Sequence, residues 1–127
     1  MISIDYRDKR PIYEQLIEGI EDMAIRGILE PDSQLISVRQ LALELSINPN
    51  TIQRAYAELE KKGIIYSIKG RGSFVSGNLE KLRTERKQLI FKEFDYILGR
   101  AVKEGIQKHE LLEFCQKYFD GQKEGIE

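Results

Sequence analysis

Three segments decide the fold: Ile36-Ser37-Val38-Arg39-Gln40-Leu41-Ala42, Ile47-Asn48-Pro49-Asn50-Thr51-Ile52-Gln53-Arg54-Ala55-Tyr56 and Lys69-Gly70-Arg71-Gly72-Ser73-Phe74-Val75. In the first, Ser37 with Gln40 three residues later matches a capping box, which predicts a helix start. In the second, Asn48 suits an N-cap and Pro49 suits a first helical residue, so another helix is predicted to begin there. The third segment is basic and rich in glycine.

The helix that starts at Pro49 is predicted to bury one side and to end at Gly63. Its apolar residues recur at helical spacing, namely Ile52, Ala55, Tyr56 and Leu59. Residues 64–68 and 73–76 favour β-structure, and the glycines among residues 69–72 predict a hairpin turn between them. The predicted order is helix, turn, helix and two-stranded wing. Such a unit exposes one helix tip and one positive loop on the same side, as the reading of duplex DNA requires.

The sequence before this unit predicts one more helix. Pro11 suits its first residue, and Gly27 is predicted to end it. Its apolar residues are spaced by four, four and three positions and predict one buried stripe, made of Ile12, Leu16, Ile20 and Met23. These elements together predict a winged helix-turn-helix DNA-binding head over residues 1–76.

The sequence after the wing predicts two helices. Apolar residues between Leu79 and Val102 predict a long amphipathic helix, and a last helix is predicted over residues 108–119, with a frayed tail over residues 121–125. We therefore expect a mainly α fold with a small β-hairpin wing, in which residues 77–127 form a two-helix dimerisation tail. The residues predicted to form the dimer contact are Leu89, Ile90, Phe94, Ile97, Leu98 and Ala101.

The long helix admits three interpretations. It could be a coiled-coil seam, a helix that binds another protein, or an ordinary packed helix. Its apolar face is broad, and the last helix is expected to cover only part of it, so an exposed stripe would mark an association surface. A homodimer is favoured because two operator half-sites require twofold symmetry. A monomer with a folded-back helical pair is the alternative.

Positive charge is concentrated in the predicted reading unit. The chain of 127 residues has a formal net charge of −1, which by itself argues against nucleic-acid binding. Residues 36–76, however, hold six basic and three acidic residues, whereas residues 1–35 hold four basic and eight acidic residues. Local potential matters more than total charge for association with DNA. Because the local excess is modest, specific binding is expected to need the doubled surface of a dimer.

Several functional classes are not favoured by the sequence. No apolar run approaches the ~20 residues of a membrane-spanning helix. Met1 to Tyr6 have neither the basic region nor the apolar core of a signal peptide, and the single cysteine, Cys115, excludes an internal disulfide, so we expect a cytoplasmic protein without a membrane partner. His109 stands alone, which argues against a metal site. No nucleophile–base pair or phosphate-cradling loop appears, so neither catalysis nor a cofactor is predicted.

The predicted helix tips and wing supply the chemistry of DNA recognition. The amides of Asn50 and Gln53 match adenine, while arginine matches guanine or phosphate. Arg39 on the first turn of its helix is predicted to clamp a phosphate, assisted by free backbone N–H groups at the starts of both helices. Gly70 lets the wing backbone approach a narrow groove. The candidate DNA-binding residues are Ser37, Arg39, Asn48, Asn50, Thr51, Gln53, Arg54, Lys69, Gly70 and Arg71.

The chain resembles the winged-helix repressors of the GntR family. The residues that carry the resemblance are Pro11-Ile12-Tyr13-Glu14-Gln15-Leu16, the cluster of Ser37, Arg39, Leu41 and Ala42, Asn50-Thr51-Ile52, Ala55-Tyr56, Leu59, Gly63, and Gly70, Gly72, Phe74 and Val75. They span about residues 5–76, and the short helical tail resembles the YtrA-like branch, in which two helices mediate dimerisation. The resemblance implies that Arg39, Asn50, Thr51, Gln53 and Gly70 occupy DNA-contacting positions.

The chain also departs from the family pattern. The departures are at Asp32, Ser33 and Ile36, on the approach to the second helix, and at Pro49, where other branches often have an arginine. The last departure removes a frequent base-reading group, so the operator sequence cannot be inferred from those branches.

The sequence thus predicts a dimeric transcriptional regulator whose partner is double-stranded DNA, with repression by occlusion of a palindromic operator as the mechanism. A small-molecule effector that changes the spacing of the two heads is left open, because no dedicated ligand chamber is evident. The alternative is a winged-helix module that binds proteins and not DNA. Such a module would more often have apolar residues at the positions that Asn50, Gln53 and Arg54 occupy. The polar tip therefore favours a DNA-binding regulator.

Overall fold

A computed structural model describes residues 2–125 of the chain. Residues up to Thr84 form one compact unit and residues from Glu85 onward form a second. The elements, in chain order, are α1 (Ile12–Ile25), α2 (Val38–Leu45), α3 (Pro49–Lys61), β1 (Ile65–Ile68), β2 (Gly72–Val75), α4 (Glu80–Lys103) and α5 (Lys108–Gly125). The mainly α fold with a small β-hairpin is therefore confirmed.

Local signals place the ends of the first helix. Pro11 is the N-cap of α1 and not its first helical residue, so this boundary moves by one position from the prediction. After the helix ends at Ile25, Gly27 adopts a φ of 81°, which is the left-handed conformation that glycine favours. Leu16, Ile20 and Met23 are buried, and Ile12 packs at the edge of the core, as the apolar stripe predicts.

The helix-turn-helix is held by two N-caps. Ser37 Oγ accepts a hydrogen bond from the backbone N–H of Gln40 at 3.1 Å. The Gln40 side chain turns instead to Glu44, so only one arm of the predicted capping box forms. At the next helix, Asn48 is the N-cap and Pro49 is the first residue, as predicted.

A single hydrophobic core lies under the three helices of the head. The α3 stripe of Ile52, Ala55, Tyr56 and Leu59 is buried, as predicted. This stripe meets apolar side chains of α1, α2 and the wing, including Leu16, Ile20, Leu41, Ile64, Ile65 and Val75. Burying each large apolar side chain contributes about 1.5–3 kcal/mol, so this core anchors α3 and leaves its opposite side to solvent.

The wing is a hairpin with a third short segment added. β1 and β2 pair antiparallel, with Ile65 opposite Val75 and Ile68 opposite Gly72. The segment before α2 then pairs with the other edge of β2: the N–H of Asp32 donates to the carbonyl of Val75, and Gln34 forms a bridge with Phe74. The sequence does not predict this added segment. The added segment fixes the wing to the chain that enters α2.

The tail differs from its prediction at its end. α5 continues to Gly125, whereas the sequence predicts a helix over residues 108–119 and fraying after Gly121. A single glycine costs a helix only about 1 kcal/mol, which a following helical turn can outweigh. At the other end, Leu79 is buried in the head core and the Arg83 side chain donates to the carbonyl of Ile25. The head unit therefore extends past residue 76 to Thr84.

Candidate nucleic-acid interface

The tip of α3 presents polar side chains to solvent. Asn50 and Gln53 are exposed, and Thr51 is half-buried beside them. Asn48 is also exposed, but its Oδ1 accepts a hydrogen bond from the backbone N–H of Asn50 at 2.8 Å. The NH2 group of Asn48 and the second lone pair of its Oδ1 are then left for another partner. The tip therefore offers amide donors and acceptors of the kind that match base edges.

The backbone at the start of α3 is already satisfied, contrary to the expectation of free N–H groups there. Pro49 has no N–H, and the N–H of Asn50 is taken by the Asn48 cap. The N–H of Thr51 donates to the carbonyl of Asn48 at 2.9 Å. Phosphate binding by main-chain donors is therefore not a property of this helix start.

The start of α2 retains its donors. Within residues 2–125, no hydrogen bond engages the N–H groups of Val38 or Arg39. Ser37 Oγ is an acceptor in the cap, so its hydroxyl hydrogen can still be donated. The Arg39 side chain is exposed on the same turn. Two amides, a hydroxyl and a guanidinium thus lie at the positive end of a helix dipole, where an anion is favoured.

Arg54 is also exposed on α3, one helical turn after Asn50. The sequence pattern predicts it on the outer face with Asn50 and Gln53. In the structure, its guanidinium carbon is 3.9 Å from the ring centroid of Tyr13 on α1, which is a cation–π contact. Glu58 of α3 lines the same shallow cleft. Arg54 is therefore exposed on the same helix face as Asn50, and its guanidinium extends over the Tyr13 ring.

The wing loop exposes both of its predicted cations. Lys69, Gly70 and Arg71 are exposed, and the N–H of Arg71 donates to the carbonyl of Ile68 at 2.9 Å, which closes the turn. Gly70 has a φ of 80° with no atom within 4 Å of the position that a Cβ would take. Glycine is therefore required at Gly70 by backbone conformation, and the space beside it is open to a ligand.

Gln34 is a residue of this surface that the sequence does not predict. Its Nε2 donates to the carbonyl of Arg71 in the wing loop at 2.8 Å. The two residues are 37 positions apart, so no local spacing could indicate the contact. A glutamine in a polar loop does not by itself indicate a structural contact. Only the pairing of residues 32–35 with β2 brings it to the wing.

Buried and surface hydrogen bonds fix the wing and α2 against α3. Tyr56 is buried, and its hydroxyl donates to the carbonyl of Ile36 at 2.6 Å, just before α2; burial raises the pKa of this tyrosine. Ser67 of β1 donates to Glu60 of α3 at 2.8 Å. These bonds hold α2, α3 and the wing as one rigid unit.

A second tyrosine ties the wing to the segment before α2. The hydroxyl of Tyr66 donates to Asp32 Oδ1 at 2.8 Å, and this hydrogen bond raises the pKa of the Tyr66 phenol. The Tyr66 ring also stacks on Phe74 of the opposite strand. Asp32 itself has a φ of 61°, so the segment turns sharply before it joins the wing.

The tail displays an extensive apolar surface. Among the residues predicted for dimerisation, Leu89, Ile90, Phe94 and Ile97 are exposed, Leu98 is half-buried, and Ala101 is only 6% exposed. α5 adds further exposed apolar side chains, which are Leu112, Phe114, Tyr118 and Phe119. Apolar patches of this kind mark association surfaces.

Residues 2–125 match neither the pattern of a metal site nor that of a membrane-spanning helix. The residues it describes contain no cluster of histidine, cysteine and carboxylate side chains that could hold a metal ion. Across the same part of the chain, every helix is too short or too polar to cross a bilayer.

A helix-turn-helix whose second helix is exposed at its tip, followed by a hairpin wing, defines a winged helix-turn-helix protein. The profile of bacterial regulatory proteins of the gntR family matches residues 12–75, and the chain belongs to this family of DNA-binding transcriptional regulators.

Individual relatives agree with the family assignment. The chain is 44% identical over 93 residues to the HTH-type transcriptional repressor YtrA of Bacillus subtilis, covering 73% of this chain and 72% of that protein. It is similar to the solved GntR family transcriptional regulator from Listeria monocytogenes, with 33% identity, a TM-score of 0.64 and coverage of 90% and 98%. It is also similar to the DNA-binding domain of AraR in complex with operator ORE1, with 26% identity, a TM-score of 0.51 and coverage of 60% and 93%.

Proposed function

We propose that this GntR-family chain is a homodimeric repressor that binds a palindromic operator and blocks a promoter by occupying it. The tip of α3 carries the proposal, because exposed Asn50 and Gln53 project from a helix whose opposite side is buried in the head core. A module that binds proteins would present apolar residues there. The similarity to a named repressor and to an operator-bound domain supports the same function.

Base reading is assigned to the amides of the α3 tip. Asn50 and Gln53 can each give a donor and an acceptor to adenine in the major groove. Thr51 is half-buried at the side of the tip. From there its hydroxyl can donate to a phosphate, or its methyl group can contact the methyl group of a thymine. Asn48 can donate through its free NH2 group, while its oxygen already accepts one hydrogen bond in the α3 cap.

Phosphate binding is assigned to α2 and to the wing. At α2, the guanidinium of Arg39, the hydroxyl of Ser37 and the two free amides can surround one phosphate. At the wing, Lys69 and Arg71 flank Gly70, whose open side allows close approach to the sugar-phosphate backbone. Arg54 lies over Tyr13, and we assign it a contact with the phosphate backbone.

The dimer contact is assigned to the tail. At about 100° per residue, the exposed apolar residues of α4 spread over more than half of the helix circumference. One direction holds Ile90, Phe94 and Ile97, another holds Phe91 and Val102, and a third holds Leu89 and Tyr96. A helix that is apolar on most sides is normally buried. We therefore propose that the tails of two copies cover each other and place two heads on one duplex.

The mechanism follows from this symmetry. Two heads related by a twofold axis fit half-sites about 34 Å apart, one turn of DNA. We place the protein in the cytoplasm, where it reaches the chromosome, and we assign it no catalytic role. An effector that alters the spacing between the heads would release the operator.

The proposal is tested by selecting duplexes from a random-sequence library with the full-length chain. A recovered motif with two inverted half-sites, bound by two chains, supports it. A matched selection with Asn50→Ala/Gln53→Ala should lose the motif while the folded protein still binds DNA weakly. Recovery of no motif by the wild-type chain would contradict sequence-specific repression.

A further inference from the structure

We propose that Gln34 is a positioning residue that holds the wing loop in the orientation in which it meets DNA. The inference depends on the proposed DNA-binding function and extends it to a residue outside the predicted interface. Three independent features of the structure support it: a hydrogen bond, a glycine that makes room for that bond, and a strand pairing that fixes the donor.

The hydrogen bond joins Gln34 to the loop itself. Its Nε2 is 2.8 Å from the carbonyl oxygen of Arg71. Arg71 is also the residue whose N–H closes the turn on Ile68. The backbone of Arg71 is thus held by two hydrogen bonds, one from its N–H to the carbonyl of Ile68 within the turn and one to its carbonyl from the Gln34 amide. Because Arg71 and Lys69 supply the loop's charge, the direction of this backbone sets where that charge lies.

Gly72 supplies the room for the amide. A Cβ on Gly72 would lie 2.9 Å from Gln34 Nε2, closer than real Cβ atoms approach a neighbour. Its φ of 114° also disfavours any other residue. The missing side chain at Gly72 and the amide of Gln34 therefore form one fitted contact.

The position of the donor is fixed by backbone pairing. Gln34 lies opposite Phe74, and the N–H of Leu35 donates to the carbonyl of Ser73 at 2.8 Å. These bonds involve only the main chain, so they persist when the Gln34 side chain is shortened. The segment then leads within three residues to Ser37, where α2 starts. Gln34 consequently links the two elements to which phosphate binding is assigned.

The test uses Gln34→Ala in the full-length chain. The probe is a 30-base-pair duplex recovered by selection with the wild-type chain, and its affinity is measured from 50 to 200 mM KCl. The substitution changes no charge, but a displaced wing loses about one phosphate contact per head. We expect the slope of log K against log salt to become shallower by about 2 per dimer, with about a hundredfold weaker binding at 150 mM, because each of the two heads loses one contact.

Two controls separate positioning from general damage. Gln88→Ala removes an amide exposed on α4 and should leave the slope unchanged. In a Lys69→Gln/Arg71→Gln background, Gln34→Ala should have no further effect, because the charge that it positions is already gone. If Gln34→Ala unfolds the head by circular dichroism, Gln34→Met, which keeps the length and lacks the donor, takes its place.

A double-mutant cycle tests the fit with Gly72. The strain of a positive φ is the same in both backgrounds, so it cancels in the cycle. Gly72→Ala should therefore weaken DNA binding at least threefold more in the wild-type chain than in Gln34→Ala. Equal losses in the two backgrounds would overturn the fitted contact.

Failure of the inference is distinct from failure of the function. If the wild-type chain binds the probe and Lys69→Gln/Arg71→Gln flattens its salt slope, the wing works as proposed. A wild-type slope in Gln34→Ala would then overturn the role of Gln34 alone. If the wild-type chain has no preference for any duplex, the DNA-binding proposal itself fails.

Discussion

Replacing Arg39 by alanine removes the guanidinium from the first turn of α2 and leaves the helix cap in place. Ser37 still accepts from the N–H of Gln40 at 3.1 Å, and neither bond partner involves the Arg39 side chain. Because that side chain is exposed and none of the ion pairs described for residues 2–125 involves it, the fold should not depend on it. The expected loss is therefore confined to DNA binding.

The magnitude follows from one phosphate contact per head. A hydrogen bond to a charged group is worth about 1.5 kcal/mol at the low end that suits an exposed site, or roughly tenfold in affinity. Two heads on one operator lose about a hundredfold together. Each lost contact also removes nearly one released counterion, so the salt slope should become shallower by about 2.

The assay is fluorescence anisotropy with the selected duplex and with a scrambled duplex, each at several salt concentrations. Arg39→Ala should weaken binding to both duplexes by the same factor, because phosphate contacts carry no sequence information. Arg26→Ala is the matched control: it removes the same charge from the head, but at the end of α1, where Arg26 pairs with Asp22 at 3.1 Å. Its affinity should stay close to wild type.

Three results would refute the assignment of Arg39. A loss confined to the selected duplex would mean that Arg39 reads a base. An unchanged salt slope would mean that it touches no phosphate. Equal weakening by Arg26→Ala would show that total charge, and not the site at α2, governs binding.

Three further predictions concern the reading tip, the dimer and the core. Gln53→Ala should cost about 1–3 kcal/mol at one operator position and nothing on scrambled DNA, and equal losses on both would contradict base reading. Ile97→Glu should convert a dimer to a monomer in sedimentation equilibrium, while the helical circular-dichroism signal stays close to that of the wild-type chain. A dimer that persists would show that this face of α4 is not the dimer contact. Tyr56→Phe should lower the free energy of unfolding by about 1–3 kcal/mol in urea, since the carbonyl of Ile36 loses its donor. Burial raises the pKa of Tyr56, so its contribution to the free energy of unfolding is fully present below pH ~10 and falls as the pH rises further. The loss of stability at alkaline pH should therefore be smaller in Tyr56→Phe than in the wild-type chain.

Features that depend on neighbouring residues were predictable from the sequence. The start of α3 at Asn48 and Pro49 and the buried stripe from Ile52 to Leu59 follow from capping chemistry and helical periodicity, and the structure confirms both. The glycine-containing turn of the wing was predictable for the same reason, since a positive φ at Gly70 favours glycine.

Features that depend on distant residues were not predictable. The pairing of the segment before α2 with β2 joins positions far apart in the chain, and so does the Gln34 contact with the wing loop. Nothing in the local sequence of residues 32–35 indicates a sheet partner. The direction of Arg54 is set by the ring of Tyr13 on another helix. Periodicity shows which side of α3 is buried, but it does not show which neighbour an exposed side chain will contact.

The central claim is that two heads, joined through their tails, bind one duplex at two half-sites. Hydroxyl-radical footprinting of the selected duplex, with the stoichiometry measured on the same complex, tests it most directly. We predict two protected half-sites with centres about 10 base pairs or a multiple of this apart, bound by two chains. A single protected half-site bound by one chain at full affinity, or protection without sequence preference, would contradict the account.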